Sequence, residues 1–572
     1  MTEIEYDVDL EPLVFNEMKL LRILSFSGHT SKVHLPQGLQ YLPDSLRYLR
    51  WDSYPSKSLP QKFTPHNLVE LDMSSSKLRE LWDGVRSFGN LKVLNLSYSR
   101  RLVQIPNLSR SPNLVQINLS NCSNINKFPM LPKSVQCLDM TATIIAEVPS
   151  SIACLSRIST FKLDLCESLK TLPPNICKLK SLSYLSLSDC SRFEYFPEIS
   201  EPMECLAQLD LGGTAIKSLP SSIKNLNGLK TLFSGFCKSL EFVPQNIYNM
   251  RLENLSLQHC PKLGNFPPLT CGLHSLIDLD LSYISASKIP ESFFSLPSLE
   301  RLKMHAAKID SIPASIKLSK LAEFSICWCN NLKSLPELPL SLKLLDARGC
   351  ISLQMMSNSW TLHTRGSWNE MIQEEFMFYD CLKLDQKNMM TEFHIRVFRS
   401  TTMFLHQDLE SYFASGVGIC FPGNEILKWF NCQKEGSTVT MKLPQHWHDA
   451  NFMGFALCVV VAFKNGFGSK LDLMCDVCFE TKCSQKHIIY QQRLNTIETD
   501  FGLDHVLMRS IFVDSSTVLD AEEVSFDFHL EGSYSSFFDA EVKRCGIRLI
   551  HLQDAEKFRT ANSQRLLRRP ML

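Results

Sequence analysis

Cys475, Cys478, Cys483 and His487 have the residue types and the CxxCxxxxCxxxH spacing of a metal site. Thiolate and imidazole donors at such intervals hold zinc tetrahedrally. They lie in and after LDLMCDVCFE, whose alternation reads as a strand, on which residues three apart face opposite sides. Zinc would need a turn at Asp476–Val477, and neither glycine nor proline is there to make one. The expectation is a strand and hairpin without metal. His446 and His448 flank Trp447 in PQHWHD, a pair that could bind metal or move protons. Spacing assigns them no carboxylate partner and no cysteine nucleophile, so they read as a loop entering a strand. The sequence has no GxxxxGK[ST] stretch, hence no backbone cradle for a nucleotide phosphate. No catalytic residue, cofactor or metal is expected, and the chain reads as a non-enzyme.

Asn95, Asn107, Asn118, Asn121 and Asn254 begin N-x-S sequons, which in a secreted receptor could carry glycans. The start of the chain, MTEIEYDVDLEP, has no basic region followed by an apolar one, so a secreted receptor is the weaker expectation. The longest apolar run, Phe452 to Phe463, is shorter than the roughly 20 residues a spanning helix needs and reads as a buried strand. Fifty-nine basic residues balance 59 acidic ones, which argues against nucleic acid or an anionic membrane as partner. The chain is expected in the cytoplasm, or in the nucleus, with its 21 cysteines reduced. At 572 residues it needs more than one core.

What positions these residues is a repeat. LxxLxLxx recurs with first positions at Leu21, Leu46, Leu68, Leu91, Leu114, Val135, Ile158, Leu182, Leu206, Leu229, Leu252, Leu276, Leu299, Leu321 and Leu342. The spacing of 21 to 25 residues is that of leucine-rich repeats. An apolar residue and a proline close most repeats in step with it, from Pro106 to Pro336. Fourth and sixth positions share one face of a short strand and bury together, and successive rungs stack into one core. Proline disfavours a long helix, so the return segments should be extended or 3₁₀-like. Eight residues after the first leucine stands Cys122, Cys166, Cys190, Cys237, Cys260, Cys329 or Cys350, a small thiol turned towards the neighbouring rung. The residues between the leucines face outward on the concave sheet and are the expected protein-binding set. They are Tyr48, Arg50, Asp52, Glu70, Asp72, Asp139, Lys162, Tyr184, Asp210, Phe233, Asp280, Arg301, Lys303, His305 and Arg348, with an acid recurring at the fifth position.

The period is expected to stop after Leu353. Val439–Leu443 and Val524–Leu530 then alternate around the buried run at Ala456–Phe463, as in an all-β sandwich. Aromatic residues Trp429, Phe430 and Trp447 are expected in its core.

The wording LSYLSLSDCSRFEYFP (Leu182–Pro197), with SLRYLRWDSYPSKSLP and NLVELDMSSSKLRELWDG before it, resembles the repeats of plant TIR-type nucleotide-binding leucine-rich-repeat immune receptors. FYDCLKLDQKN (Phe378–Asn388) is similar to that family's junction after the repeats. Pro422, Gly423, Glu425, Ile426, Trp429 and Phe430 match its C-terminal jelly-roll and immunoglobulin-like (C-JID) segment PGxEIPxWF, with Leu427 in place of the usual proline. The resemblance implies an α/β leucine-rich-repeat solenoid followed by an all-β jelly-roll/Ig-like sandwich. Its expected parts are a cap (1–20), repeats (21–353), a junction with a helix (354–410), the C-JID domain (411–552) and a basic tail (553–572). It implies a ligand-sensing module for a pathogen effector, with other receptor chains as further partners. The family's TIR domain and nucleotide switch are not expected in this chain. The alternative is an intracellular leucine-rich scaffold for an endogenous protein.

Overall fold

The computed structural model describes residues 7–554 except 28–31, 65, 83–87, 265, 268–271, 287–288, 314–315, 340, 357–373, 405–412, 446, 450, 464–468, 482–487, 500–501, 514–519 and 533–539. The chain forms two compact units, Met1–Leu296 and Pro297–Leu572.

In the first unit each repeat contributes one short strand. The strands Ile23–Phe26, Tyr48–Trp51, Glu70–Asp72, Val93–Asn95, Gln116–Asn118, Cys137–Asp139, Thr160–Lys162, Tyr184–Ser186, Gln208–Asp210, Thr231–Phe233, Asn254–Ser256 and Asp278–Asp280 follow one another through it. Each pairs with the next in parallel and in strict register, so the central apolar residues align: Leu185 with Leu209, Leu209 with Leu232, Leu232 with Leu255. From Leu49 onward those central residues are buried, as the shared fourth-and-sixth-position core requires, while Leu24 of the first strand is half-buried. The return segments carry 3₁₀ turns at Ser150–Cys154, Pro174–Lys178, Ser221–Asn225, Gln245–Asn249 and Glu291–Ser295. Each begins directly after a proline: Pro149, Pro173, Pro220, Pro244 and Pro290. The repeat's apolar-proline marker therefore fixes where the return turn starts. At the N-terminal end Val8–Asp9 pairs with Val33–His34 and Phe15 packs edge-on against Trp51, capping the first rungs.

In the second unit, strands Arg301–Lys303, Glu323–Ser325 and Leu344–Asp346 continue the pattern. The period does not stop after Leu353. A further strand, Glu374–Met377, pairs in parallel with Leu344–Asp346, placing Phe376 beside Leu345. Here residues 357–373 separate consecutive rungs and Gln373 stands where a leucine would open the repeat, so the period is hidden from a sequence reading. The α-helix Gln386–Phe404 follows, as the junction motif implies.

The sheet then passes into the C-terminal domain. Phe413–Pro422 pairs in parallel with Glu374–Met377 and antiparallel with His505–Val513. That second strand begins the order His505–Val513, Phe452–Phe463, Ala540–His551, Cys432–Glu435. A second sheet runs Thr438–Lys442, Ala521–Gly532, Ser469–Thr481, Ile488–Thr499. Phe455, Leu457, Leu473, Cys475, Phe526 and Ile547 from the two sheets share one core, which makes a sandwich. Phe430 and Trp447 are in the core, and the Trp447 indole donates to the Ala521 carbonyl at 3.0 Å. Trp429 is not: it is half-buried, with the Arg548 guanidinium 4.7 Å above it and His394 of the helix 4.3 Å away. It joins the helix to the sandwich edge.

Candidate protein-binding face

Three hydrogen-bonding columns run from rung to rung and decide which side chains remain open to a partner. In the first, the thiol eight residues into a repeat donates to a carbonyl of the preceding rung. Cys122 bonds Leu96 O at 3.1 Å, Cys190 bonds Leu163 O at 3.0 Å, Cys237 bonds Leu211 O at 3.1 Å and Cys350 bonds Ile326 O at 3.1 Å. Cys381 extends the column to the extra rung through Ala347 O. These thiols are buried and unpaired, and burial pushes Cys122 up to about 12, so it is a poor nucleophile and a poor metal donor at neutral pH.

The second column lies one residue earlier, where the backbone turns left-handed in nearly every rung. Tyr98, Asn121, Ala142, Leu165, Asp189, Phe236, His259, Tyr283, Ala306, Trp328 and Asp380 all have φ between 48° and 61°. Gly213 and Gly349 take the same slot at 68° and 69°. From Tyr98 to His259, and at Ala306, Trp328 and Gly349, the amides of this slot donate to a carbonyl of the following rung, as Tyr98 does to Ser120 O, Phe236 to Gln258 O and Trp328 to Arg348 O, each at 2.7 Å. The conformation closes the strand and aims the side chain along the sheet edge.

The third column explains the recurrent acids. Asp72, Asp139, Asp210 and Asp280 accept the amide hydrogen of the residue two positions on, at 3.1, 3.0, 2.8 and 2.9 Å. Asn95 and Asn118 do the same at 3.1 and 3.0 Å. The fifth-position acid therefore holds the turn into the left-handed residue, a local role that the expected recognition role did not include. The same contact, with the strand pairing, engages the sequon asparagines Asn95 and Asn118.

The other expected contact residues divide by partner. Arg50 is bound to Asp52 through two hydrogen bonds of 3.1 and 3.0 Å, and Arg348 is bound to Asp346 through two of 2.9 Å. These forks leave less guanidinium for a ligand than the sequence suggests. His305 lies against the Ser325 hydroxyl. Glu70, Lys162, Tyr184, Phe233, Arg301 and Lys303 are half-buried on the open side of their strands. Of the zinc-like set, Cys475 is buried and Cys478 half-buried on one strand that runs through Asp476–Val477 without a turn; Cys483 and His487 lie outside the described residues. His446 also lies outside them, and His448 follows the core residue Trp447.

Sequence reasoning missed an exposed ring stack. Phe236, His259 and Tyr283 occupy the left-handed slot of three consecutive rungs. Their rings stack, Phe236 on His259 at 4.6 Å and 10°, His259 on Tyr283 at 3.9 Å and 14°. Phe236 is 45% exposed and Tyr283 38%. Phe233, on the open face of the same sheet, reaches over Gly212: a β-carbon there would meet its ring at 2.4 Å and the Asp210 carboxylate at 3.1 Å. The only signal was positional, the residue before each small buried side chain.

The extra rung carries a second, buried constellation. Arg396 of the helix is 1% exposed and binds Glu374 at 2.7 Å and Glu392 at 2.5 Å, with its guanidinium 3.9 Å over the Phe376 ring. Arg509 reaches Glu375 at 3.3 Å. Asp380 donates its amide hydrogen to Nε2 of buried His505 at 3.2 Å, while His505 Nδ1 donates to Leu503 O at 2.8 Å. Tyr379 gives its hydroxyl hydrogen to Thr496 O at 3.1 Å. These contacts bind the final rung, the helix and the sandwich into one buried joint.

Residues 421–556 match the family model of the C-JID domain. Residues 178–362 match the model described as "Disease resistance protein RPS4B-like, leucine-rich repeats", and 67–86 a general leucine-rich repeat. The chain is 33% identical over 509 residues to the disease resistance-like protein DSC1 of Arabidopsis thaliana, across 79% of this chain and 40% of that protein. Disease resistance protein RPS4B of the same plant is 27% identical over 588 residues, 97% of this chain and 45% of its own length. TMV resistance protein N of Nicotiana glutinosa is 29% identical over 507 residues, 77% and 40%. The chain spans less than half the length of each of these relatives.

Proposed function

Because this chain carries the leucine-rich repeats and C-JID domain of plant TIR-NB-LRR disease-resistance proteins, and aligns with such proteins over most of its length, we propose that it senses a pathogen effector protein inside the plant cell. The observation that carries this is the open face of the first unit, where a rigid sheet presents charged and aromatic side chains in fixed register. Affinity comes from side chains already ordered by the sheet, so little conformational freedom is lost on binding. Lys162, Tyr184 and Phe233 are the central contacts in this reading. In a receptor that also held a nucleotide switch, the effector would act only by binding one state of that switch better than the other. Among the described residues no helix is long and apolar enough to cross a membrane.

The test is binding of the purified chain to a panel of secreted effectors from plant pathogens, read by biolayer interferometry. The reading expects one effector to bind at about micromolar Kd or tighter. It also expects Lys162→Glu combined with Tyr184→Ala to weaken that binding at least about tenfold with an unchanged melting temperature. Binding indifferent to that double variant removes the open face from the mechanism.

A further inference from the structure

We propose that the stack Phe236–His259–Tyr283, with Phe233 and the carboxylates of Asp189 and Asp210, docks an arginine-rich basic segment of a protein partner. This deepens the reading above and rests on it only in taking the open face as a protein-binding surface.

The argument begins with backbone cost. A side chain in the left-handed region costs about 1–2 kcal/mol, more for bulky residues, and glycine or asparagine avoids most of it. This chain uses those cheaper residues in the same slot at Gly213, Gly349 and Asn121. Stacking turns are therefore made without large rings, yet three successive rungs carry Phe, His and Tyr there, Phe236 and Tyr283 exposed and His259 half-buried between them. Ring-on-ring contact returns part of the cost, about 0.5–1.5 kcal/mol per pair. It also fixes the rings as a continuous wall.

One end of that wall meets a glycine. The preceding residue in the column is Gly213, which has no side chain to cover Phe236. The Asp189 carboxylate leans over that glycine, where a β-carbon would meet its Oδ1 at 2.2 Å. Phe233 and Asp210 meet over Gly212 on the adjoining position. The two glycines thus let an aromatic ring and two carboxylates gather at one step beside Phe236.

Charge chooses the occupant. From Cys137 to Ser282 the outward strand positions carry Asp139, Asp164, Asp210, Asp278 and Asp280 against Lys162 alone. Burial, with the nearby charges of Asp164 and Asp189, raises the Asp210 carboxyl above its ordinary value, a repulsion that an incoming cation relieves. A guanidinium matches both halves of the step, stacking its plane on an aromatic ring while its fork of donors meets a carboxylate. The same field repels phosphate, which excludes nucleic acid as the occupant.

Fluorescence anisotropy of the full chain with labelled Gly-Arg, Gly-Lys and Gly-Glu repeat peptides tests this. The Gly-Arg peptide should bind, Gly-Lys several-fold more weakly and Gly-Glu not at all. Phe236→Gly combined with Tyr283→Gly keeps the backbone slot and should weaken Gly-Arg binding at least about fivefold, with Asp210→Asn doing the same. Tyr195→Ala, exposed outside the stack, should change nothing. Melting temperatures of all variants establish that they fold. Equal binding of the acidic peptide, no Gly-Arg binding, or wild-type binding by the folded double-glycine variant each overturns the proposal. If an effector still binds through Lys162 and Tyr184 in such a case, only this inference falls.

Discussion

Phe236 and Asp380 occupy the same slot, seven residues into a rung at φ 60°, in opposite surroundings. The Phe236 amide donates to the next rung's carbonyl and its ring is exposed in a stack. Asp380 is buried, and since its rung is followed by the sandwich, the acceptor for its amide is an imidazole nitrogen, His505 Nε2, at 3.2 Å. Position-three residues differ likewise. Glu375 of the last rung faces Arg509, whereas Tyr184 and Gln208 face outward. One backbone template thus supplies an open surface in one region and a polar joint in another. What decides is whether the chain itself or a partner fills the outward side.

The strongest way to break this contrast is to unbalance the joint. Arg396→Met leaves Glu374 and Glu392 buried without their cation and should cost about 3–5 kcal/mol, read as an earlier urea transition of the Pro297–Leu572 unit. Adding Glu374→Gln and Glu392→Gln should recover much of it. A neutral Arg396→Met would mean that the joint is not a closed network.

Acid should loosen the joint next. Burial holds both His505 and His394 below the ordinary histidine value, His394 at about 4. Each binds a proton more readily when unfolded, so its contribution is complete above pH about 6.5 and is lost at lower pH, for His394 as pH falls towards 4. His394 alone accounts for on the order of 2 kcal/mol by pH 5. His394→Gln should flatten the pH dependence of the melting temperature over that window.

Smaller effects sharpen the open side. Asp139→Ala removes the acceptor for the Thr141 amide and should cost about 1 kcal/mol, while Asp139→Asn should be nearly neutral, because Asn95 and Asn118 already hold the same turn. Phe236→Gly exchanges ring stacking for relief of the left-handed backbone and should shift stability by less than about 1 kcal/mol. A large loss there would make the stack a structural element rather than a presented surface.

The spacing of leucines, cysteines and prolines disclosed the rungs, the thiol column and the return turns, because each of those slots demands a residue type. The left-handed column was illegible because its demand falls on φ, and Ser53, Tyr98, Ala142, Leu165 and Phe236 all meet it. Asp139 and Asp210 look like recognition acids by type, whereas Asn95 and Asn118 in the same slot point to the turn-holding role that all four share. The extra rung was hidden by its long preceding insertion and by Gln373 in the opening position, although FYDC still carries the thiol eight residues on. The contacts of Arg396 and His505 join residues 22 and 125 positions apart, beyond the reach of any local pattern.

Strand Phe413–Pro422 has a further consequence. A stack of parallel rungs ends in a row of unpaired amides and carbonyls, a template on which a second molecule can add. Here that row is taken by Phe413–Pro422, which is itself covered by His505–Val513. Cleavage between Met377 and Phe413 with loss of the sandwich would bare the row. Repeats so trimmed should polymerise edge to edge where the whole chain stays dispersed.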